Sequence, residues 1–369
     1  MRLRVVGVWL VVAGGLLGVA LGAGEILVRS RERSRSTPPG VMPTLYYRHV
    51  RLRHALVRDY AYFGWVRTDS AGFRRTIDAT SPTGGRPRVL VLGASTTFDT
   101  QVSGDLRAWP SRLWTWLSAE QGFQGAVLNG GVAGYQVVDN LVRLVTVLAN
   151  FQPDVILLYH AHNDLFATLA GSPSAGLADP HRPWRAPTQT PWAGWLEAHS
   201  LLYGKVAGRL KALRFGGTGG DRRDRGAAEW DSVLNAGAAR FERDVETFAA
   251  VAAARGIPLV LMTVTHVSAG DSLPASDDVA RNWMHTLPGV PPGITLEGYR
   301  RFNARVAAVA ARHSIPLIDG AASGVAGLEL YAEGDPLHFN DRGADEFARF
   351  VAGQLGPFLT SGDGTEARR

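Results

Sequence analysis

The stretch "VLVLGASTTFDT", residues 89–100, decides how this chain is read. Val89, Leu90, Val91 and Leu92 leave no polar face, so they read as a strand buried on both sides. The apolar run then breaks into Gly93-Ala94-Ser95-Thr96-Thr97, a small-residue turn with a serine at its tip. A plain turn needs only glycine and asparagine. A serine there suits a nucleophile, provided the rest of the chain supplies its partners.

Downstream the same rhythm repeats. Residues 109–121 read as a helix and 126–129 as a short strand. Val137, Leu141, Leu144 and Leu148 fall at helical spacing. "DVILLYH" (154–160) is another buried strand, and "IPLVLMTV" (257–264) and "IPLID" (315–319) read as two more strands. Helices carry Phe241, Val245, Phe248 and Ala252, then Tyr299, Phe302, Val306 and Val309, and a last one covers about residues 341–355. Five apolar strands alternating with helices predict an α/β chain: a three-layer α/β/α sandwich around a five-stranded parallel sheet, with right-handed crossovers. Ligands bind such sheets outside the carboxyl ends of the strands.

At those ends stand Ser95, then "NGGVAGY" (129–135), then "HAHND" (160–164) and, before the last helix, "DPLHFN" (335–340). The combination fits acyl transfer. A serine hydroxyl is a weak nucleophile until a base takes its proton. His338 suits that role, with Asp335 to hold its other ring nitrogen. An oxyanion needs fixed donors, which the backbone N–H of Ser95, that of a glycine such as Gly134 and the side-chain amide of Asn163 can offer. Each piece also has a plainer reading: a helix N-terminus at Ser95, a turn at 129–134, caps at Asn163, Asp164, Asn340 or Asp341. His160 and His162 alternate as on a strand and invite a metal, but no third ligand lies nearby, so no metal is expected. The order of the four pieces at successive strand ends is what makes them a set.

The whole chain bounds the alternatives. Its 369 residues are 46% hydrophobic and 20% charged, which excludes global disorder. There is no cysteine, hence no disulfide, thiolate site or cysteine nucleophile. The net charge of +6 comes with arginines clustered at 29–35 and 222–225, without a basic stripe interleaved with aromatics, so no nucleic-acid partner is expected. "GASTT" lacks the phosphate-loop lysine, and "GGVAG" lacks the dinucleotide spacing after the first strand. Residues 5–28 carry no charge until Glu25 and are long enough to span a bilayer, behind Arg2 and Arg4. Ala20, Gly22 and Ala23 make a poor cleavage pattern, which favours an uncleaved anchor. Arg29, Arg31, Arg33 and Arg35 after the span outnumber the arginines before it, and that count argues against export.

With these motifs the chain resembles membrane-anchored bacterial members of the SGNH/GDSL hydrolase superfamily, over about residues 86–357. "GAST" resembles the first block, "NGGVAG" the second, "HND" the third and "DPLH" the fourth; "RTDSAGFR" (67–74) and "AWP" (108–110) are also similar. The resemblance implies a flavodoxin-like fold, Ser95 as nucleophile, His338 and Asp335 completing a triad, and Ser95, Gly134 and Asn163 as the oxyanion hole, with no cofactor. Ala94 stands where the family usually has aspartate, and Ala161 where a glycine usually precedes the asparagine by two residues. Both departures separate the chain from the well-studied lipases.

The organisation implied is an anchor and linker over 1–40, a lead-in over 41–85 packing on the catalytic domain, the hydrolase domain over 86–357 with an insertion at 165–232, and a disordered tail over 358–369. Trp184, Trp192 and Trp195 of the insertion are expected to flank the substrate cleft. The expected activity is a serine esterase acting on short acyl esters, O-acetyl among them, of envelope or extracellular glycans. Membrane-anchored relatives place the domain outside the cytoplasm, and that location is expected here. An O-acyltransferase with the same triad and a non-catalytic polysaccharide-binding or scaffold protein are the alternatives; the oligomeric state stays open.

Overall fold

The computed structural model describes residues 2–33, 42–47, 49, 51–76, 86–148, 151–171, 196, 199–215, 225–268, 279, 287 and 289–360. Five strands form one parallel sheet: β5 (Arg88–Gly93), β6 (Ala126–Asn129), β7 (Val155–Tyr159), β8 (Leu259–Met262) and β9 (Leu317–Ile318), in the order β6-β5-β7-β8-β9. The first four are buried along nearly their whole length. The continuous aliphatic runs have this cause: in a parallel sheet covered on both faces, neither side of a strand meets water. Each large aliphatic side chain buried there contributes about 1.5–3 kcal/mol.

One covering layer joins α3 (Trp109–Gln121) to α9 (Asp341–Thr360). The other holds α4 (Val137–Thr146), α5 (His162–Leu169), α7 (Ala227–Ala254) and α8 (Pro292–Arg312). The three-layer α/β/α architecture is the one expected. Its details correct some boundaries. Helix α4 stops at Thr146, and Leu148 lies beyond it, though still buried. Helix α7 starts at Ala227, inside the stretch read as an insertion, because Trp230, Leu234 and Ala238 already face the core. Helix α9 runs to Thr360 rather than about 355. His160 and His162 do not alternate on a strand: β7 ends at Tyr159 and His162 opens α5.

Ahead of the sheet, α1 (Arg2–Arg33) contains a segment, Val12–Arg33, long and apolar enough to cross a membrane. Its Leu16, Leu17, Val19, Ile26 and Leu27 are exposed. Two antiparallel pairs follow, β1 (Tyr46–Tyr47) with β2 (Ala55–Leu56) and β3 (Ala61–Tyr62) with β4 (Val66–Arg67). They build a second, smaller core from Met42, Leu45, Leu56, Tyr62 and Val66 with Phe98, Val132, Tyr135 and Leu201, against which Val28 of α1 packs. Leu201 opens α6 (Leu201–Phe215). Glu25 of α1 caps that helix, accepting from Ser200 Oγ at 2.8 Å and from the N–H groups of Leu201 and Leu202 at 3.1 and 2.9 Å. Lys205 adds an ion pair to Glu32 at 2.6 Å. Trp184, Trp192 and Trp195, the linker 36–40 and residues 361–369 lie outside the described residues.

Candidate active site

Strand β5 delivers Ser95 to the rim as the first residue of a one-turn helix, α2 (Ser95–Phe98). The turn is tight because small residues surround it. A Cβ on Gly131 would sit 2.2 Å from Phe98 N, so the loop after β6 can lie directly on α2 only with glycine there. Thr96 and Thr97 are buried, which leaves Ser95 as the partly exposed hydroxyl of the turn. From below, Arg74 holds the end of the turn. It is buried and donates to Phe98 O and Asp99 O, both at 2.7 Å, and to Trp65 O at 3.1 Å, while its Nε meets Asp105 Oδ1 at 3.1 Å. Asp105 also accepts from Arg67 Nε at 3.1 Å.

Across the rim, the segment before α9 is pinned by a bridge between Tyr331 and Phe339, and Asn340 caps α9 through the N–H groups of Arg342 and Gly343. This sets His338 facing Ser95: Nε2 lies 2.9 Å from Ser95 Oγ. Its Nδ1 lies 2.8 Å from Asp335 Oδ2, while Asp335 Oδ1 accepts the N–H groups of Leu337 and His338 at 2.8 and 3.0 Å. Burial alone pulls His338 down, but the charge and hydrogen bond of Asp335, with a smaller contribution from buried Asp99, lift it above the ordinary histidine value. Burial likewise raises Asp335, yet the charge of His338 and three hydrogen bonds hold it below the usual carboxylate range. Asp99, at a left-handed φ of 67°, is pushed by burial up to about 7 against its bond from Trp109 N–H.

The other two strand-end motifs meet each other, and the first of them lies against the β5–α2 turn. Val132 N–H reaches Gly93 O at 3.3 Å. Gly134 has φ of +81°, a conformation that favours glycine. Asn163 Nδ2 donates to Tyr135 O at 2.9 Å, and Gln136 Nε2 returns a bond to Asn163 O at 3.3 Å. Asn163 does not cap α5, whose N-cap is Ala161. Among the described residues, the N–H groups of Ser95 and Gly134 have no protein acceptor. His160 and His162 turn to different partners, Asn140 Nδ2 at 2.7 Å and Tyr299 Oη at 2.9 Å.

The structure therefore brings Ser95, His338 and Asp335 into one hydrogen-bonded relay, with Gly134 and Asn163 tied to neighbouring residues of one loop. Sequence reading missed Arg74, Asp99 and the pair Arg53 and His54, which contact this rim. Only Arg74 had a signal, since it closes the "RTDSAGFR" stretch.

No protein-family model matches the sequence. No curated protein matches it either. Among solved structures, an acetylxylan esterase from Geobacillus stearothermophilus is similar over 75% of this chain and 97% of its own, at TM-score 0.43 and 13% identity. A psychrotrophic esterase from Pseudoalteromonas sp. covers 74% of this chain and 98% of its own, at TM-score 0.42 and 12% identity. A lipase/acylhydrolase from Enterococcus faecalis covers 73% and 96%, at TM-score 0.41 and 16% identity. With TM-scores below 0.5 the likeness ends there, and the chemistry of the rim rests on its own residues.

Proposed function

We propose that this protein is a serine esterase of the SGNH/GDSL type, anchored by α1 with its catalytic domain outside the cytoplasm, that hydrolyses short acyl esters. The observation that carries this reading is the continuous relay from Ser95 Oγ through His338 to Asp335, at 2.9 and 2.8 Å. In the reaction Ser95 Oγ attacks the ester carbonyl carbon while His338 Nε2 takes its proton. Asp335 keeps the proton on Nδ1 and stabilises the imidazolium. The oxyanion forms against the N–H groups of Ser95 and Gly134 and the amide of Asn163. His338 then passes its proton to the leaving alcohol oxygen as the carbonyl re-forms. Water, deprotonated by His338, attacks the acyl-Ser95 carbonyl; the acyl C–Oγ bond then breaks, His338 returns its proton to Ser95 Oγ and the acid leaves. O-acetyl esters on envelope or extracellular glycans are the proposed substrates, on the family resemblance and the proposed location.

The test is labelling of the full chain in detergent with a fluorophosphonate probe, followed by acetate release from acetylated sugars and p-nitrophenyl acetate. Labelling that disappears in Ser95→Ala, with acetate released by the parent, is the expected result. A parent chain that neither labels nor releases acetate overturns the reading. Acetyl transfer to an added sugar without net acetate release would replace esterase by acyltransferase.

A further inference from the structure

Residues 133, 134 and 135 present three successive carbonyls, and each has its own side-chain donor. Asn163 takes Tyr135 O. Arg53 Nη2 takes Gly134 O, and its guanidinium also grips Asp139 through Nε to Oδ1 at 3.0 Å and Nη2 to Oδ2 at 2.8 Å. His54 Nε2 takes Ala133 O at 2.8 Å. The last bond matters most, because Ala133 C=O and Gly134 N–H belong to one peptide group. That group is planar and trans, so its C=O and N–H point in opposite directions. Holding the oxygen fixes where the N–H aims. The Gly134 N–H, free of any protein acceptor among the described residues, is directed away from His54.

We infer that His54, carried on the lead-in segment next to the anchor, is a positioning residue of the oxyanion hole: its Nε2–H holds Ala133 O and thereby aims the Gly134 N–H. The inference rests on the esterase reading above. His54 is itself held. Its carbonyl accepts the Tyr135 hydroxyl, and its ring meets Tyr46 and Tyr135 edge-on at centroid distances of 5.4 and 5.2 Å. A carbonyl can only accept, so Nε2 must carry the proton. Burial, with the nearby Arg53 charge, depresses the ring below the ordinary histidine value, against the bond to Ala133 O and the charge of Asp139. The neutral Nε2–H tautomer is therefore the working form near neutral pH. A donor on the carbonyl also polarises the peptide, making its N–H a better donor. With φ of +81° and nothing nearer a would-be Cβ than His54 Cε1 at 3.7 Å, side-chain packing at position 134 does not fix the peptide.

The test compares His54→Gln, whose amide still donates, with His54→Met, which has similar bulk and no donor. The full chain in detergent is assayed on p-nitrophenyl acetate, with active sites counted by fluorophosphonate titration so that any unfolded fraction drops out. His54→Met should lower kcat per titrated site by about 10- to 100-fold with KM unchanged, less than the 10²–10³ for losing an oxyanion donor outright. His54→Gln should recover most of that loss at similar thermal stability. Unchanged kcat per site in His54→Met, a change confined to KM, or a Gln variant no better than Met would each overturn the inference while leaving the esterase reading intact. A parent chain without labelling or turnover fails at the earlier test, which removes both.

Discussion

Asp335 holds His338 through two kinds of bond at once: Oδ2 meets Nδ1 at 2.8 Å, while Oδ1 takes the histidine's own backbone N–H at 3.0 Å. The carboxylate cannot rotate away without breaking both. Glu333 and Asp341, the other acidic residues close by in sequence, are not the partners; Asp341 instead accepts Ser103 N–H at 2.7 Å and Ser103 Oγ at 2.6 Å.

On the proposed mechanism this pair sets the pH dependence. His338 is raised, so its imidazolium persists above the ordinary histidine range and the neutral base appears only beyond it. The kcat/KM profile should rise through one ionisation lying above the unperturbed value near 6.5. Asp335→Asn removes the charge that favours the imidazolium, so the limb should move to lower pH. Its plateau should fall by as much as about 10⁴, because asparagine no longer enforces the required tautomer. A pH–rate profile of both proteins checks this; a limb that stays in place assigns the shift to another group.

Asn163→Ala should separate the proposed oxyanion role of this amide from its bond to Tyr135 O. Loss of the oxyanion donor should lower kcat by about 10²–10³ with KM little changed. Loss of the bond to Tyr135 O should cost about 0.5–1.5 kcal/mol of stability. Measuring kcat per labelled site beside thermal unfolding distinguishes them. A stable variant with normal turnover takes Asn163 out of the mechanism.

Arg74→Met should destabilise the protein without touching the relay. The residue is buried and bonded to three carbonyls and to Asp105. Removing one partner of a buried pair typically costs about 3–5 kcal/mol; Arg67 still faces Asp105, which places this case near the lower figure. Arg74→Lys should rescue little, because one ammonium cannot reach acceptors spread around a planar guanidinium. Denaturation midpoints of the three proteins are the measurement, and a lysine variant matching the parent would contradict it.

Alkaline phosphatase fused after residue 40 should be active in cells if the proposed location is right. The arginines at 29, 31, 33 and 35 make the opposite outcome a real one. An expressed but inactive fusion would place the domain in the cytoplasm and remove extracellular glycans from consideration.

The sequence by itself determined the sheet and the order of the chemistry along its rim. Burial on both faces demands continuous aliphatic strands, so Val89 to Leu92 and Ile156 to Leu158 announce themselves locally. The motif after each strand then falls on one edge, because parallel strands all end on the same side. That Ser95, His338 and Asp335 would come to one rim was legible for that reason. Helix α7 was harder to bound, because the Gly- and Arg-rich residues 216–226 before it hide the spacing of Trp230 and Leu234. Only the tertiary structure decided what surrounds the rim. His54 meets Ala133 across 79 residues, Arg74 meets Asp105 across 31, and Glu25 caps a helix start 175 residues away. Nothing in the local pattern encodes those partners. Periodicity reports which face of an element is apolar, whereas a hydrogen bond between distant polar side chains depends on how whole elements pack, and that geometry exists only once the two cores have formed.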